Sequence, residues 1–491
     1  MSNISICPRG SLGRVSALMT SSMLALSGPV TAESIIPATW TPDYIRSIAG
    51  KTEPDTAAEC SKVVPLDHAG SVEYWYVGPT EASPELEHTW DAAFWQAFSE
   101  AYPNITVNVQ NLGYNDMLNK LRTAALGNAA PGVARLPILW GAEFASKGQL
   151  LQLEPEDVGH SRDDFWPGAM KSVTFDGKTF GIPTSNETMT FIWNAGIFEE
   201  AGLDPNVGPD TWDEVVSFSK QIRENTGKAG YGLVARTNAG NTPYRFMPMV
   251  WGEGGGALDE AADSPTYQDI WVNNEGTVRA VQHYYDMYVR DKSVPISALT
   301  NTQTENQDPF LADQLAMMIA HPSEYATMLD RANNATGDDK AAALKVVDNM
   351  RYGLIPKGQD RRAVVFGGFN VHMFSPDHVS GGLDQDAAKA LVCFMTGPEW
   401  STKLAWLNSN PGNVRGFETV WMQERLDTIK FLDVATSMLA YGIPFPPVAE
   451  STEIMNIIIP DMLQNALTEK MTVEEAAADA ERKIQSLIDG F

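Results

Sequence analysis

Strand-like and helix-like segments alternate along the first part of this chain, and that order restricts the fold more than any other feature. Residues 71–78 (SVEYWYVG) are rich in aromatic and β-branched residues, as strands are, and residues 105–110 (ITVNVQ) alternate in the same manner. An apolar stripe at helical spacing lies between them, and a second helix is predicted over 114–127. A short buried strand over 136–140 ends at Trp140. This order predicts a parallel α/β sheet, in which ligands bind beyond the carboxyl ends of the strands.

A second α/β series follows. Its first helix begins at a capping box formed by Thr211 and Glu214. Strands are predicted over 231–235, 315–320 and 364–374. Because 491 residues exceed what one core usually supports, we expect two lobes.

The N-terminus has the pattern of a secretory signal peptide. Arg9 and Arg14 precede a short apolar run over 15–26, and small residues end the segment at Ala32. Residues 1–32 are therefore predicted to direct export, and no cysteine follows that could carry a lipid anchor. The sequence predicts a soluble periplasmic protein, with residues 33–69 as an N-terminal extension laid over the first lobe.

The acidic composition bears on possible partners. The chain has 62 acidic and 35 basic residues, a formal net charge of −27, so we expect no contact with nucleic acid or anionic lipid. Seven histidines are scattered without ligand spacing, and no metal or cofactor is expected. Beyond Ala32 the cysteines are Cys60 and Cys393, which could pair or remain buried thiols.

One carboxylate stands out at the entrance of an apolar strand. In FGIPTSNETMTFIWN, residues 180–194, Met189, Phe191 and Trp193 recur at the period of a strand, and Glu187 precedes them. Burying an ionised carboxylate is costly unless it is paired. A functional or paired role for Glu187 is therefore expected.

Five sequence blocks in a fixed order resemble the extracellular solute-binding proteins of carbohydrate ABC transporters, the family that includes maltodextrin-binding protein. The blocks are FGIPTSNETMTFIWNAGIFEEAGLDP with TWDEV, ADQLAMMIAHPSEY, YGLIPKG with VVFGGFNVHMFSP, ALVCFMTGPEW, and LTEKMTVEEAAADAERKI. The resemblance implies a two-lobed, type II-like periplasmic-binding-protein fold with several hinge crossings. Lobe one would hold 70–186 and 357–417, and lobe two would hold 187–356 and 418–491. The crossings would lie near Ser185, Pro356 and Glu418.

The resemblance also implies ligand-binding residues. Trp140 would stack on a sugar ring, unless it is an ordinary core tryptophan. Glu187 would accept hydrogen bonds from sugar hydroxyls, unless it pairs with a lysine or arginine across the hinge. Tyr244 would stack or donate its hydroxyl, whereas Trp251 could equally be packing. His321 lies on the loop after a lobe-two strand.

The remaining candidates lie at strand ends and on loops facing the implied cleft. Relatives commonly carry a tryptophan where this chain has Ser323, which removes one stacking platform. Gly368 would let the backbone approach ligand. Arg415 could instead be a surface residue. The other members of this set are Tyr76, Asn186, Phe369, Asn370 and Asn413.

The implied activity is reversible binding of a sugar or oligosaccharide, and delivery to a permease by a monomer. Alternative ligands are a glycerol phosphodiester or polyol, with Arg245 and Arg415 nearby, or a polyamine framed by Glu187, Glu253 and Glu324. A carbohydrate-active enzyme with paired carboxylates is disfavoured, since no catalytic motif accompanies them. On this layout, a bridge from Cys60 to Cys393 would attach the N-terminal extension to lobe one.

Overall fold

The computed structural model describes residues 40–79, 85–237, 240–263, 265–405 and 409–490. The predicted signal peptide, residues 1–32, and the extension before Trp40 lie outside the described residues. Among the helices described, none combines the length and the apolar character that crossing a membrane requires.

Fourteen strands are described. The first seven are β1 Gly70–Tyr76, β2 Ile105–Asn111, β3 Val133–Pro137, β4 Thr174–Phe175, β5 Lys178–Thr179, β6 Ile182–Glu187 and β7 Thr190–Asn194. The others are β8 Ala229–Tyr231, β9 Leu315–Ala320, β10 Met350–Gly353, β11 Val364–Val365, β12 Gly367–Met373, β13 Asn410–Pro411 and β14 Gly442–Ile443.

Twenty α-helices are described. The first ten are α1 Pro42–Ile48, α2 Thr56–Cys60, α3 Glu85–Ala101, α4 Tyr114–Leu126, α5 Gly141–Ser146, α6 Pro167–Ser172, α7 Ala195–Glu200, α8 Trp212–Thr226, α9 Asn241–Gly252 and α10 Glu275–Tyr285. The others are α11 Gln303–Leu311, α12 Glu324–Asn334, α13 Gly337–Asp348, α14 Gln385–Thr396, α15 Pro398–Lys403, α16 Val420–Thr428, α17 Leu432–Ser437, α18 Ser451–Glu453, α19 Ile459–Leu467 and α20 Val473–Asp489.

The larger sheet has six strands in the order β13-β6-β12-β3-β1-β2. β1 pairs in parallel with β2 and β3, as predicted, but β12 is antiparallel to both β3 and β6. The predicted strand over 136–140 is wrong, because β3 ends at Pro137 and Trp140 caps α5. The Trp140 amide donates a 3.0 Å hydrogen bond to the Pro137 carbonyl. This tight turn takes the chain away from the strand pairing of the sheet.

The smaller sheet has four strands in the order β10-β7-β9-β8. β9 matches the predicted strand over 315–320 and is buried throughout. The strand predicted over 231–235 is instead β8, which ends at Tyr231. The Leu233 amide donates to the Tyr231 carbonyl at 3.0 Å, so the chain bends there. The predicted capping box of Thr211 and Glu214 is present at the start of α8.

Each sheet has its own apolar core, and the chain passes between the sheets three times. β6 of the six-stranded sheet is followed directly by β7 of the four-stranded sheet. The chain returns between β10 and β12 and leaves again after β13, before α19 and α20 join the core of the four-stranded sheet. The six-stranded sheet is covered by a second and a third apolar cluster.

The N-terminal extension is attached to the body at both ends. Cys60 of α2 forms a disulfide with Cys393 of α14, with a Cα–Cα distance of 5.8 Å. α1 packs against α17. The extension therefore contacts two helices, α14 and α17, that lie far from it in the sequence.

Candidate functional site

Glu187 is the last residue of β6, at the first passage between the sheets. Its Oε1 lies 2.7 Å from Nδ1 of His321, which directly follows β9 in the other sheet. The two side chains are 12% and 16% exposed, so the contact is largely shielded from solvent. Among the described residues, Glu187 is not in an ion pair with a lysine or arginine, which was the alternative expectation. The partner is a histidine, and the contact is an ion pair when the imidazole is protonated.

Tyr244 stands beside this pair on α9. A Cβ added to Gly367, the β12 residue paired with Glu187, would lie 3.1 Å from the Tyr244 ring. The absence of a side chain at Gly367 therefore lets the ring approach the end of the larger sheet. Phe445 packs edge-on against Tyr244 at a centroid distance of 5.2 Å. The ring is thus held at the junction of the two sheets.

Two buried charged residues, Arg245 and Glu324, interact electrostatically in the same region. Arg245 is 2% exposed, and within the described residues its Nε and Nη2 have no hydrogen-bond partner. Burial lowers the pKa of Arg245, and the charges of Glu324 and Glu187 oppose that shift. Glu324 begins α12 and accepts a 2.7 Å hydrogen bond from Gln307 Nε2, while burial raises its pKa. The sequence analysis considered Arg245 only for a glycerol phosphodiester or polyol ligand, and Glu324 only for a polyamine.

Arg135 on β3 was missed by the sequence analysis. Its guanidinium is buried and donates to the hydroxyls of Thr184 and Ser185 at 3.0 and 3.1 Å. It also lies 4.3 Å from the centre of the Phe369 ring. Burial lowers the pKa of Arg135. A charged residue inside the otherwise apolar stretch VARLPILW was the signal that could have identified it.

Tyr76 ends β1 and contacts α3, which packs beside the sheet. Its hydroxyl donates a 2.9 Å hydrogen bond to Asp91 on α3. Burial is the largest cause that raises the pKa of both Tyr76 and Asp91. Arg135 and Trp95 line the same small cavity.

Three predicted asparagines are buried and bonded within the protein. Asn186 donates to the Pro411 carbonyl at 2.9 Å, and Asn370 donates to Ser172 Oγ at 3.0 Å. Asn413 likewise donates to a backbone carbonyl and accepts the amide of Arg415. These contacts join β6 to β13, β12 to α6, and the segment at Asn413 to α14.

The two predicted tryptophans are also packed. Trp140 is 5% exposed and belongs to the apolar cluster with Phe144 and Phe374. Trp251 is fully buried, and its indole N–H donates to Glu260 at 3.0 Å. Both side chains are in the positions expected for core residues.

The last candidates lie in different settings. Gly368 has a φ of +124°, and an added Cβ would lie 2.1 Å from the Ser185 carbonyl oxygen. Arg415 is 45% exposed and pairs with Glu59 of the extension at 2.8 Å. Ser323 is half-buried at the N-cap of α12, beside His321. Glu253 pairs with Arg279 at 3.1 Å and does not join Glu187.

The residues brought together at the sheet junction are Glu187, His321, Tyr244, Arg245 and Glu324. They offer carboxylate acceptors, imidazole and guanidinium donors, and an aromatic ring within one region. Among the described residues, no three histidine, cysteine or acidic side chains are grouped so as to hold a metal ion. The arrangement is suited to hydrogen bonding a polar molecule.

Two curated proteins resemble this chain over most of its length. A probable amino-acid ABC transporter periplasmic-binding protein of Sinorhizobium fredii is 24% identical over 405 residues, covering 80% of this chain and 84% of the relative. An arabinooligosaccharide-binding protein of Bacillus subtilis is 24% identical over 339 residues, covering 67% and 70%.

The fold matches solved structures as well. The GacH receptor of Streptomyces glaucescens, solved unliganded and with acarbose, superposes with a TM-score of 0.66 at 24% identity. The match covers 87% of this chain and all of that receptor, and it shows the predicted two-lobed α/β fold. The family described as bacterial extracellular solute-binding protein matches residues 83–402. The chain therefore belongs to the bacterial extracellular solute-binding proteins.

Proposed function

We propose that this protein binds a sugar or oligosaccharide between its two lobes and delivers it to the permease of an ABC importer. The observation that carries the proposal is the contact of Glu187 with His321. It joins the ends of the two sheets, and both side chains remain partly exposed to solvent. Binding would be reversible and without chemistry. The sugar-binding relatives support the choice of ligand class.

The lobes of this proposal follow the two sheets. Lobe one comprises residues 70–186 and 357–417, and lobe two comprises 187–356 and 418–491. Hinge closure about the three passages would bury the ligand. The bound form, a monomer in the periplasm, would then dock on the permease.

The ligand contacts would centre on Glu187. An ionised carboxylate accepts two strong hydrogen bonds from neighbouring hydroxyls, and ligand binding would replace or extend its contact with His321. Tyr244 would pack on the apolar face of a ring. Phe369 and Tyr76 of lobe one, and Ser323 of lobe two, complete the proposed set, whereas the buried asparagines and tryptophans and the distant Arg415 are left out.

A thermal-shift screen tests this function. We expect one or more sugars to raise the melting temperature, because a ligand at about 100 times its dissociation constant adds roughly 2.7 kcal/mol of stability. The panel holds mono- and oligosaccharides, polyols, glycerophosphodiesters and polyamines. A shift with a polyamine alone would refute the carbohydrate assignment, and release of reducing sugar would refute binding without turnover.

A glycerophosphodiester is the second candidate, and Arg245 favours it. A phosphate group accepts charge-assisted hydrogen bonds from guanidinium donors. The Nε and Nη2 atoms of Arg245 have no hydrogen-bond acceptor among the described residues. A shift with phosphodiesters and none with sugars would support this candidate over the first.

Replacing Glu187 by glutamine is expected to weaken ligand binding about 10- to 100-fold, since a hydrogen bond to a charged group contributes about 1.5–3 kcal/mol. Titration calorimetry with the ligand found in the screen measures the change. Glu143→Gln is the matched control, because Glu143 on α5 is 13% exposed and pairs with Arg122 on α4 and with Lys147, which follows α5. Equal affinities of Glu187→Gln and the wild type would remove Glu187 from the site.

A further inference from the structure

We infer that His321 is a positioning residue whose imidazole, when protonated, holds the carboxylate of Glu187 for the ligand and makes binding tighter at pH 6 than at pH 8. The inference deepens the proposed function and rests on it for the place of the ligand. It is carried by the distance between the two side chains, by their attachment to different sheets, and by the charges around them.

The carboxylate of Glu187 is carried by the end of the six-stranded sheet. Glu187 is the last residue of β6 and pairs with Gly367 of β12. The preceding residue, Asn186, donates from its side chain to the Pro411 carbonyl of β13 at 2.9 Å. The backbone at the end of β6 is therefore held from both neighbouring strands. The freedom that remains is that of the Glu187 side chain, which a neighbouring group has to orient.

His321 reaches this carboxylate from the four-stranded sheet. It directly follows β9, whose last residue, Ala320, pairs with Thr190 of β7. Pro322 comes next, and a residue that precedes proline is restricted to extended backbone angles. The Glu324 amide closes the turn by donating to the His321 carbonyl at 3.1 Å. The backbone that carries the imidazole is therefore held in place.

The contact between the two side chains depends on charge. Nδ1 of His321 lies 2.7 Å from Oε1 of Glu187, yet the two atoms do not have the alignment of a hydrogen bond. A poorly aligned hydrogen bond is weak, whereas the attraction between opposite charges does not depend on direction. Histidine side chains commonly change charge between pH 5 and 8. Protonation of the imidazole therefore decides how firmly Glu187 is held.

Two further charged groups face the pair within the described part of the chain. Glu324 on α12 interacts electrostatically with His321, and burial is the largest cause that raises the pKa of Glu324. Arg245 on α9 interacts electrostatically with Glu324 and Glu187. Among the described residues Glu187 has no ion pair with Arg245, so His321 is its nearer positive partner.

The other titratable groups of this region are an arginine and two tyrosines. Arg331 of α12 and Tyr352 of β10 interact electrostatically with Glu324. Tyr244 lies on α9 beside the pair. Arginine and tyrosine side chains ordinarily keep their charge state between pH 6 and 8. Among the described groups that face the pair, Glu324 is therefore the alternative to His321 as the group that titrates.

The direction of the pH effect follows from the burial of the pair by a ligand. A ligand that bonds the second carboxylate oxygen of Glu187, Oε2, removes water from both side chains. Burying a lone negative charge costs more than burying a neutralised pair, so the bound protein favours the protonated imidazole. Binding then takes up a proton, and the affinity rises as the pH falls through the histidine range.

A double-mutant cycle in the ligand-free protein tests the pair itself. Glu187→Gln and His321→Asn, singly and together, are unfolded with urea at pH 6 and at pH 8, and circular dichroism checks that each variant is folded. His321→Asn keeps an amide donor but does not titrate. We expect the coupling between the two positions, as a factor in the unfolding equilibrium constant, to be about three- to tenfold larger at pH 6. Equal coupling at both pH values would overturn the inference.

Calorimetric titration at pH 6 and pH 8 tests the effect on binding, and the probe is the sugar that gives the largest shift in the thermal-shift panel. The wild type should bind it about three- to tenfold more tightly at pH 6. His321→Asn should bind it equally at both pH values. His68→Asn is the matched control and should keep the pH dependence, because His68 lies 3.4 Å from Asp384 at the start of α14.

The outcomes separate this inference from the proposed function. A pH dependence that persists in His321→Asn and disappears in Glu324→Gln would assign the proton to Glu324 and contradict the inference. Tighter binding of the wild type at pH 8 would contradict it as well. If no sugar of the panel binds, the proposed function fails, while the ligand-free cycle still decides whether protonation couples His321 to Glu187.

Discussion

Replacing Gly368 by alanine is expected to destabilise the ligand-free protein by roughly 2–6 kcal/mol, the sum of backbone strain and overpacking. Gly368 has a φ of +124°, a conformation that residues with a side chain rarely adopt. The new Cβ would also lie 2.1 Å from the Ser185 carbonyl oxygen. Both residues belong to paired strands, β12 and β6, so neither can easily shift. Urea unfolding followed by circular dichroism measures the loss.

Gly381→Ala is the control for backbone strain alone. Gly381 has a φ of +79°, and an added Cβ would have no atom within 4 Å. We expect a loss of about 1 kcal/mol there. If Gly368→Ala were no more destabilised than Gly381→Ala, and instead bound ligand weakly, the glycine would serve ligand approach and not the contact of the two strands.

Replacing Trp140 by alanine is expected to cost about 3–5 kcal/mol of stability, as for other buried tryptophans. The side chain is 5% exposed and packs with Phe144 and Phe374 under the six-stranded sheet. The loss should appear in the ligand-free protein as a lower denaturation midpoint with an unchanged slope.

Trp140→Phe provides the matched comparison, because it keeps an aromatic ring in the cluster and should lose much less stability. Its ligand affinity should equal that of the wild type. A stable Trp140→Ala protein with strongly reduced affinity would instead support the sugar-stacking role that the family resemblance implies.

Local signals in the sequence were reliable where the residues that decide a structure are neighbours. The capping box at Thr211 begins α8 because the bonds involved span three residues. The apolar run over 315–320 is a buried strand although its leucine, alanine and methionine residues also suit a helix, because the run is short and pairs with strands on both sides. The predicted strand through Trp140 failed because Pro137 and a tight turn end the ladder earlier.

Individual residues of the candidate site were predicted from the sequence, but their contacts with one another were not. Glu187 and His321 were both named, but the sequence offered no reason to pair them. Arg135 was missed because its partners, Thr184 and Ser185, come from a strand that is distant in the sequence. Asn186 and Asn370 were named as ligand residues by position, and their amides donate to Pro411 of β13 and to Ser172 of α6.

The sequence by itself determined the α/β class, the start of α8, the strands β1, β2 and β9, and the order of the family's blocks. It did so because hydrophobic period, capping and turn chemistry act over a few residues. Only the tertiary structure decided that β12 enters antiparallel between β3 and β6, that Glu187 contacts His321, and that Cys60 of the extension is bonded to Cys393. Those outcomes depend on how two sheets and distant helices pack, and no local interaction specifies that arrangement.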